Sequence, residues 1–274
     1  MLTFRRSTPE GIFMCYSPMV QKSLKLLEAE FGVTSVRDSF AAYERLHETD
    51  PKKFPDFSRE QIFPGHFAPV VTSGHIEPMR YGAWPSPDID DPGRYSTYNA
   101  RAENLASPFW LGCPELATGV VKVKAFLEWV LVADLLKDKK VRLAEVEEIF
   151  AAKTAARKKS AEESGKKFRP SESEKKTAKE RKVTILIAPD HAEELYVPVL
   201  VSRHAPARDF KGPRGGFAII TGPAPAEITK AGHDRCPLHL TRDAALEWLK
   251  AKPLERASLK RQQEMHFKYR LSGA

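Results

Sequence analysis

Residues 120–132 read VVKVKAFLEWVLV, a run dominated by valines and aromatics in which apolar and polar residues partly alternate. Side chains of this kind favour a pleated, half-buried ladder, so the run is predicted to be a central strand. On its carboxyl side, KVTILIA (182–188), LYVPVLV (195–201) and GFAIITG (216–222) have the same character. They are expected to be three further strands, joined by turns at Pro189-Asp190 and around Gly212 to Gly216. TRDAALEWLKA (241–251) reads as a helix with Thr241 as its cap. On the amino side, FAPVV (67–71) reads as a short strand, reached by an extended crossing that Pro51, Pro55 and Pro64 enforce. Further upstream, SPMVQKSLKLLEAEF (17–31) spaces apolar residues by three and four, which predicts a helix from Ser17 with Pro18 in its first turn. A second amphipathic piece, SVRDSFAAYERLHE, follows Gly32. Between these elements, EPMRYGAWP (77–85) sets apolar and aromatic residues between turn signals, and SPDIDDPGRYS after it reads as a loop.

Residues 138–182 are different, being mostly Ala, Glu, Lys and Arg with breaks at 160–165 and Pro170. They are expected to form one or two exposed helices inserted into the fold. The whole is an α+β single domain: a largely antiparallel, barrel-like β-sheet core with peripheral helices and a charged helical insertion.

With 274 residues, 42% apolar and 29% charged, the chain has globular composition. No apolar run spans a bilayer, since the best one, Ala125 to Leu136, is interrupted by Glu128 and Asp134. The amino terminus has arginines without an apolar segment behind them, and the three cysteines, Cys15, Cys113 and Cys236, form no CxxC pair. The expected location is therefore the cytoplasm, with nucleoid association when bound to DNA, and nothing demands more than a monomer. A net charge of +8 favours polyanionic partners such as nucleic acid, although the excess is concentrated in the insertion.

Several reaction classes are absent from the sequence. KGPRGGF lacks the GK[ST] of a phosphate-binding loop, and no G-x-S-x-G or H-E-x-x-H motif occurs. HDRCPLH (233–239) offers His233, Cys236 and His239 at zinc-like spacing, but a closed site needs a fourth ligand and Cys113 stands in a distant loop, so neither a metal nor another cofactor is expected. Cys113 and Cys236 have apolar neighbours and read as small buried hydrophobes. Cys15 follows Met14. Were it the first residue, its amine and thiol would form a 1,2-aminothiol able to capture an aldehyde as a thiazolidine. Otherwise it is a buried residue of a first strand.

MCYS (14–17), FAP (67–69), MRYGAWP (79–85), YNARAEN (98–104), AFLEW (125–129), FAIIT (217–221) and HDRCP (233–237) occur in this order. Together they resemble the SOS response-associated peptidase (SRAP) family, whose members crosslink to abasic sites in single-stranded DNA. The resemblance runs from about Met14 to about Trp248, interrupted by the charged insertion. It implies that Cys15 is the nucleophile exposed after N-terminal cleavage, and that Asn99 holds the sugar or the Cys15 amine. It makes Arg101 and Arg235 phosphate contacts through the guanidinium fork. Glu128, with a pKa raised by desolvation, and His233 become the proton carriers. Pro69, Tyr81 and Thr221 match positions lining the DNA channel. The partner implied is single-stranded DNA containing abasic sites.

Each residue also has a structural alternative: Glu128 at a strand edge facing water, His233 satisfied locally, Asn99 capping a turn, Arg101 paired with Glu103. The chain departs from the family pattern in Tyr16-Ser17, where Gly-Arg is usual, and in Tyr81, where tryptophan is common. It departs most in residues 1–13, because a blocked Cys15 amine cannot react. Either translation starts at Met14 or self-cleavage removes the prefix; the later start is expected, since Glu10-Gly11 encoded as GAGGG resembles a ribosome-binding site. Two other activities fit parts of the pattern, a cysteine peptidase acting on proteins in trans and a non-catalytic nucleic-acid-binding module.

Overall fold

The computed structural model describes residues 17–52, 54–57, 60–83, 97–113, 115–138, 140–191, 194–203, 213–254, 259 and 265–272. Cys15 and the prefix, and the whole of the SPDIDDPGRYS loop, lie outside the described residues.

The predicted central strand is the axis of the fold. It extends over Ala117–Leu131 as β6; at about 3.3 Å per residue its fifteen residues run roughly 50 Å. That length gives β6 two sets of partners. Its first half pairs with β8 (Leu195–Arg203), from Ala117↔Val201 to Val123↔Leu195. β8 continues to β9 (Gly215–Pro223), β9 to β4 (His75–Tyr81), and β4 to β3 (Phe67–Val71). β3 returns to β6 at Val71↔Val120, which closes a five-stranded barrel. The second half of β6 runs on beyond that closure. It carries β1 (Ser17–Val20) on one edge and β7 (Lys182–Pro189) on the other, with β11 (Phe267–Leu271) outside β7. Three short strands complete the sheet: β2 (Thr34–Ser35) beside β4, and β5 (Asn99–Arg101) and β10 (Arg235–Pro237) beside β9.

Both faces of the barrel wall are covered, so its strands are apolar on successive residues as well as alternate ones. On β9, Phe217 and Ile219 join a cluster with Val70, Met79, Val121, Val199 and Val201, while Ala218 and Ile220 face the helices. That second cluster holds Leu27 and Phe31 of α1 (Leu24–Phe31), Phe40 of α2 (Arg37–Thr49), Trp110 of α3 (Pro108–Leu111) and Trp248 of α7 (Arg242–Trp248). Trp110 and Trp248 are thus core residues. Thr241 caps α7 as predicted, its hydroxyl accepting from the Ala244 amide at 3.2 Å. Gly119 is required where the wall is tightest: a Cβ there would lie 2.9 Å from Val70 Cγ1 and 3.0 Å from both Val199 and Val201. Its carbonyl accepts the Trp248 indole N–H at 3.0 Å.

Two expectations are corrected. The helix predicted from Ser17 begins only at Leu24, capped by Ser23 and ended by Gly32 at φ 66°. Ser17 to Val20 form β1 instead, because pairing with an open edge of β6 outweighs a marginal helical turn: Ser17 Oγ donates to the Ile62 carbonyl at 2.8 Å, and the Pro18 carbonyl accepts the Ile62 amide. The insertion, expected to be solvated throughout, is anchored. α4 (Val132–Leu135) follows β6 directly, and α5 (Leu143–Glu163) buries Val146 and Phe150 in the barrel-side cluster. Its return limb reaches β7 through a 3₁₀ turn at Ala178–Glu180, closed by a Thr177/Glu180 capping box. Among the described residues no helix is long and apolar enough to cross a membrane.

Candidate functional site

Glu128 stands on the overhanging half of β6, where Phe126, Leu127 and Val130 are core residues. It is only 1% exposed, so it is no solvent-facing edge acid. The carboxylate finds its counter-charge in His233, which precedes β10 after α6 (Ala226–Lys230) and is 2% exposed. Glu128 Oε2 lies 3.2 Å from His233 Nε2.

The other ring nitrogen fixes the imidazole. His233 Nδ1 is 2.7 Å from the Arg235 carbonyl, which can only accept, so Nδ1 carries a proton. Burial works against the charged ring, but the Glu128 carboxylate, the Arg235 carbonyl and the charge of Asp234 outweigh it and hold the His233 pKa above its ordinary value. Glu128 Oε1 is buried and has no hydrogen-bond partner among the described residues, leaving an acceptor in a dry place. A buried acid and base in an ion pair, with one carboxylate oxygen spare, can carry a proton to or from a substrate atom placed beside them.

The arginines are arranged around the end of β9. β5 and β10 pair with the same stretch of it: Asn99↔Ile219 and Arg101↔Thr221 on one edge, Arg235↔Pro223 and Pro237↔Thr221 on the other. Asn99 is buried and Arg101 partly exposed. Arg235 spreads its fork on Glu103, Nη1 to Oε1 at 2.6 Å and Nη2 to Oε2 at 3.0 Å, and Nη2 also donates to the Thr221 carbonyl at 2.9 Å. Glu103 answers with a lowered pKa, chiefly through the Arg235 hydrogen bond, and Arg101 adds to the effect by its charge. Sequence reasoning offered Glu103 only as a surface partner for Arg101. The sequence carries no signal for the pairing of Arg235 with Glu103, because only the joint pairing of β5 and β10 to β9 brings residues 103 and 235 together.

Tyr81, Pro69 and Thr221, the residues expected to line a DNA channel, stand in the wall of the barrel. Tyr81 is fully buried, its ring stacked on Phe217 with centroids 5.2 Å apart and edge-on to Tyr98. Pro69 is buried in β3 opposite Pro78. Thr221 is 1% exposed and serves Arg235 with its carbonyl. All three are buried on barrel strands β4, β3 and β9.

Cys113 and Cys236 are buried, as expected of small hydrophobes. Burial pushes the Cys113 thiol up to about 11, and burial together with the Glu128 charge pushes Cys236 up to about 12, which leaves both unreactive near neutrality. His239 is buried edge-on to Phe267, and among the described residues no three His, Cys, Asp or Glu side chains are grouped to hold a metal. Cys15 is outside the described residues; β1 enters the sheet at Ser17, opposite Leu127, the residue before Glu128.

No protein-family model matches the chain, and no curated protein matches it. Solved structures do. A protein from Bacteroides thetaiotaomicron superposes with a TM-score of 0.56 at 14% identity, over 94% of this chain and 91% of that one. A protein from Bordetella bronchiseptica superposes with a TM-score of 0.57 at 12% identity, over 95% of this chain and all of the other. A phage-related protein of the same organism gives 0.47 at 17% identity, over 86% and 92%. At such identities the first two likenesses are of fold, which extends over nearly the whole chain.

Proposed function

We propose that this chain is an abasic-site processing protein of the SRAP type, which captures the aldehyde of an abasic site in single-stranded DNA through Cys15. The observation that carries the reading is the buried Glu128–His233 pair set beside the strand edge at which Ser17 enters the sheet. Cys15 precedes Ser17 by two residues in the sequence.

The chemistry requires a free Cys15 amine. It adds to the aldehyde carbon and the carbinolamine loses water to give an imine; the thiol sulfur then adds to the imine carbon and its proton passes to nitrogen. One C–N and one C–S bond form, one water leaves, and nothing is oxidised or reduced. Glu128 and His233 are the groups that deliver and remove the protons. Freeing the amine from residues 1–14 by self-cleavage consumes one water at the Met14–Cys15 bond; translation from Met14 followed by methionine removal reaches the same species. In this reading Asn99 orients the sugar or the amine, while Arg101, and Arg235 when a phosphate competes with Glu103 for its fork, hold the backbone beside the lesion.

The test is a denaturing gel with abasic single-stranded DNA and protein whose mature terminus has been established by mass spectrometry. A covalent band is expected, lost in Cys15→Ala and strongly slowed in Glu128→Gln. A crosslink that survives Cys15→Ala, or one formed by protein retaining residue 1, refutes the proposal.

A further inference from the structure

The Lys137 to Lys182 stretch holds sixteen Lys and Arg against nine Asp and Glu, a net +7 of the chain's +8. The rest of the chain is therefore close to neutral overall, and most of the net positive charge that would attract a polyanion at long range is seated in the insertion. The structure shows that this charge is mounted on an ordered arm. Val132 N–H bonds the Arg181 carbonyl where the insertion leaves and rejoins the fold, and the Arg181 guanidinium lies 3.6 Å from the centre of the Phe150 ring. The return limb is tied to α5 by Glu174, which accepts from Thr154 at 2.9 Å and from the Ser171 amide and hydroxyl at 2.6 and 2.8 Å, and pairs with Arg157. Arg157 also bonds the Arg169 carbonyl, pinning the turn KKFR, residues 166–169.

Phe168 in that turn is only partly covered, and cations surround it. Arg157 and Lys158 of α5 lie 5.4 and 5.6 Å from its ring, and Lys166, Lys167 and Arg169 flank it in sequence. Lys158, Lys166 and Lys167 are exposed and have no acidic partner among the described residues. An aromatic ring with one unpaired ammonium beside it and two more exposed lysines next to it in sequence offers the stacking surface and the positive charge that an unstacked base and its flanking phosphates require. A lipid surface, by contrast, calls for an apolar helical face, and α5 past Phe150 shows alanines and lysines.

We propose that the Phe168 turn is a second contact for single-stranded DNA, in which a base stacks on Phe168 while Lys158, Lys166 and Lys167 meet phosphates. The inference rests on the DNA-processing reading above and extends it from the lesion to the flanking strand. Lys158 stands fifteen residues into α5, which at 1.5 Å per residue is about 22 Å from the start of the helix. The contact therefore serves strands long enough to run out along the arm.

The test is fluorescence anisotropy of a labelled oligothymidylate of about 20 nucleotides, longer than the roughly 4–16 a single groove occupies, titrated with the full chain across a salt series. Replacing Lys166 and Lys167 by Gln is expected to make the log affinity against log salt slope shallower by about 1.4, at about 0.7 for each single-strand phosphate that is no longer neutralised. Phe168→Ala is expected to weaken binding roughly tenfold with the slope unchanged, the mark of a missing stacking partner rather than a missing charge. A control pair, Lys25→Gln with Lys250→Gln, removes the same charge from exposed positions elsewhere and is expected to leave the slope near wild type. If the control pair flattens the slope as much, or if neither arm variant changes binding, the second contact does not exist. The outcome is equally negative if the arm variants lose affinity for anionic vesicles but not for DNA. In those cases crosslinking to a short abasic strand still proceeds and the functional reading stands; if the wild-type chain binds neither oligothymidylate nor an abasic strand, both fall.

Discussion

Glu128→Gln separates the electrostatics of the buried pair from its packing, since the two side chains have nearly the same shape. With the carboxylate gone, His233 keeps its burial and its bond to the Arg235 carbonyl but loses the charge that held its proton. Its pKa should fall from above to below the ordinary value of about 6.5. Breaking a buried pair by removing one partner costs about 3–5 kcal/mol, and each kcal/mol lowers Tm by roughly 2–4 °C in a chain of this size. The full penalty applies only where the ring would remain charged. In the parent protein the folded pKa of His233 is raised, so its stabilisation is complete below about pH 6.5 and is lost as pH rises through the folded value. In the variant the ring is neutral when folded, so stability is lost as pH falls. The gap between the two proteins should therefore be widest near pH 6, on the order of 10 °C, and should close progressively toward pH 9. Thermal melts at half-unit pH steps measure the gap, and the His233 Cε1 proton shift reads the titration directly. A gap that is constant with pH, or that grows as pH rises, refutes the pairing as the origin of the effect.

Other perturbations test the surrounding structure. Gly119→Ala drives a methyl into Val70, Val199 and Val201 and should cost about 1–3 kcal/mol, read as a lower urea midpoint with an unchanged m-value. Iodoacetamide at pH 7.5 should leave Cys113 and Cys236 unlabelled in the folded chain and label both after denaturation, as their raised pKa values require; labelling of Cys236 at the rate of a free thiol would show that the Glu128 side of the fold opens readily. Lys22 donates to the Phe67 carbonyl at 2.7 Å and lies over the Phe57 ring, and burial lowers its pKa to about 7. Its unfolded value is higher, so it takes up a proton on unfolding; Lys22→Met should stabilise the protein at pH 7, and the gain should vanish by pH 10.5, as denaturant melts at the two pH values will show.

The parts of this protein that were legible in the sequence are those where one strand's composition decides its fate. VVKVKAFLEWVLV could only be a core strand, and its one acid, Glu128, stood out for that reason. KVTILIA, LYVPVLV, GFAIITG and FAPVV followed by the same logic. What failed was any reading that depended on a partner the sequence does not name. SPMV has a helical period, yet it is a strand, because the edge of β6 at Leu127 to Val123 was open to receive it. The insertion looked solvated throughout because Val146 and Phe150 are sparse among charges, although two side chains suffice to seat it. Tyr81 and Thr221 are matched by motif alone, and their burial in the barrel wall shows only once the strands are paired.

The same division explains how the site is built. The half of β6 that closes the barrel, Ala117 to Val123, meets β8 in continuous register and carries no acid; the half that overhangs it carries Glu128, where only β1 and β7 flank the strand. A carboxylate inside the closed barrel would have no counter-charge within reach and would be neutralised or expelled. On the overhang it is reached by His233 from the β10 side, and β1 pairs with the strand one residue away, Ser17 opposite Leu127. A buried charge and the pairing of β1 are accommodated together because the strand is longer than the barrel it closes, and shortening or re-registering that overhang would remove both at once.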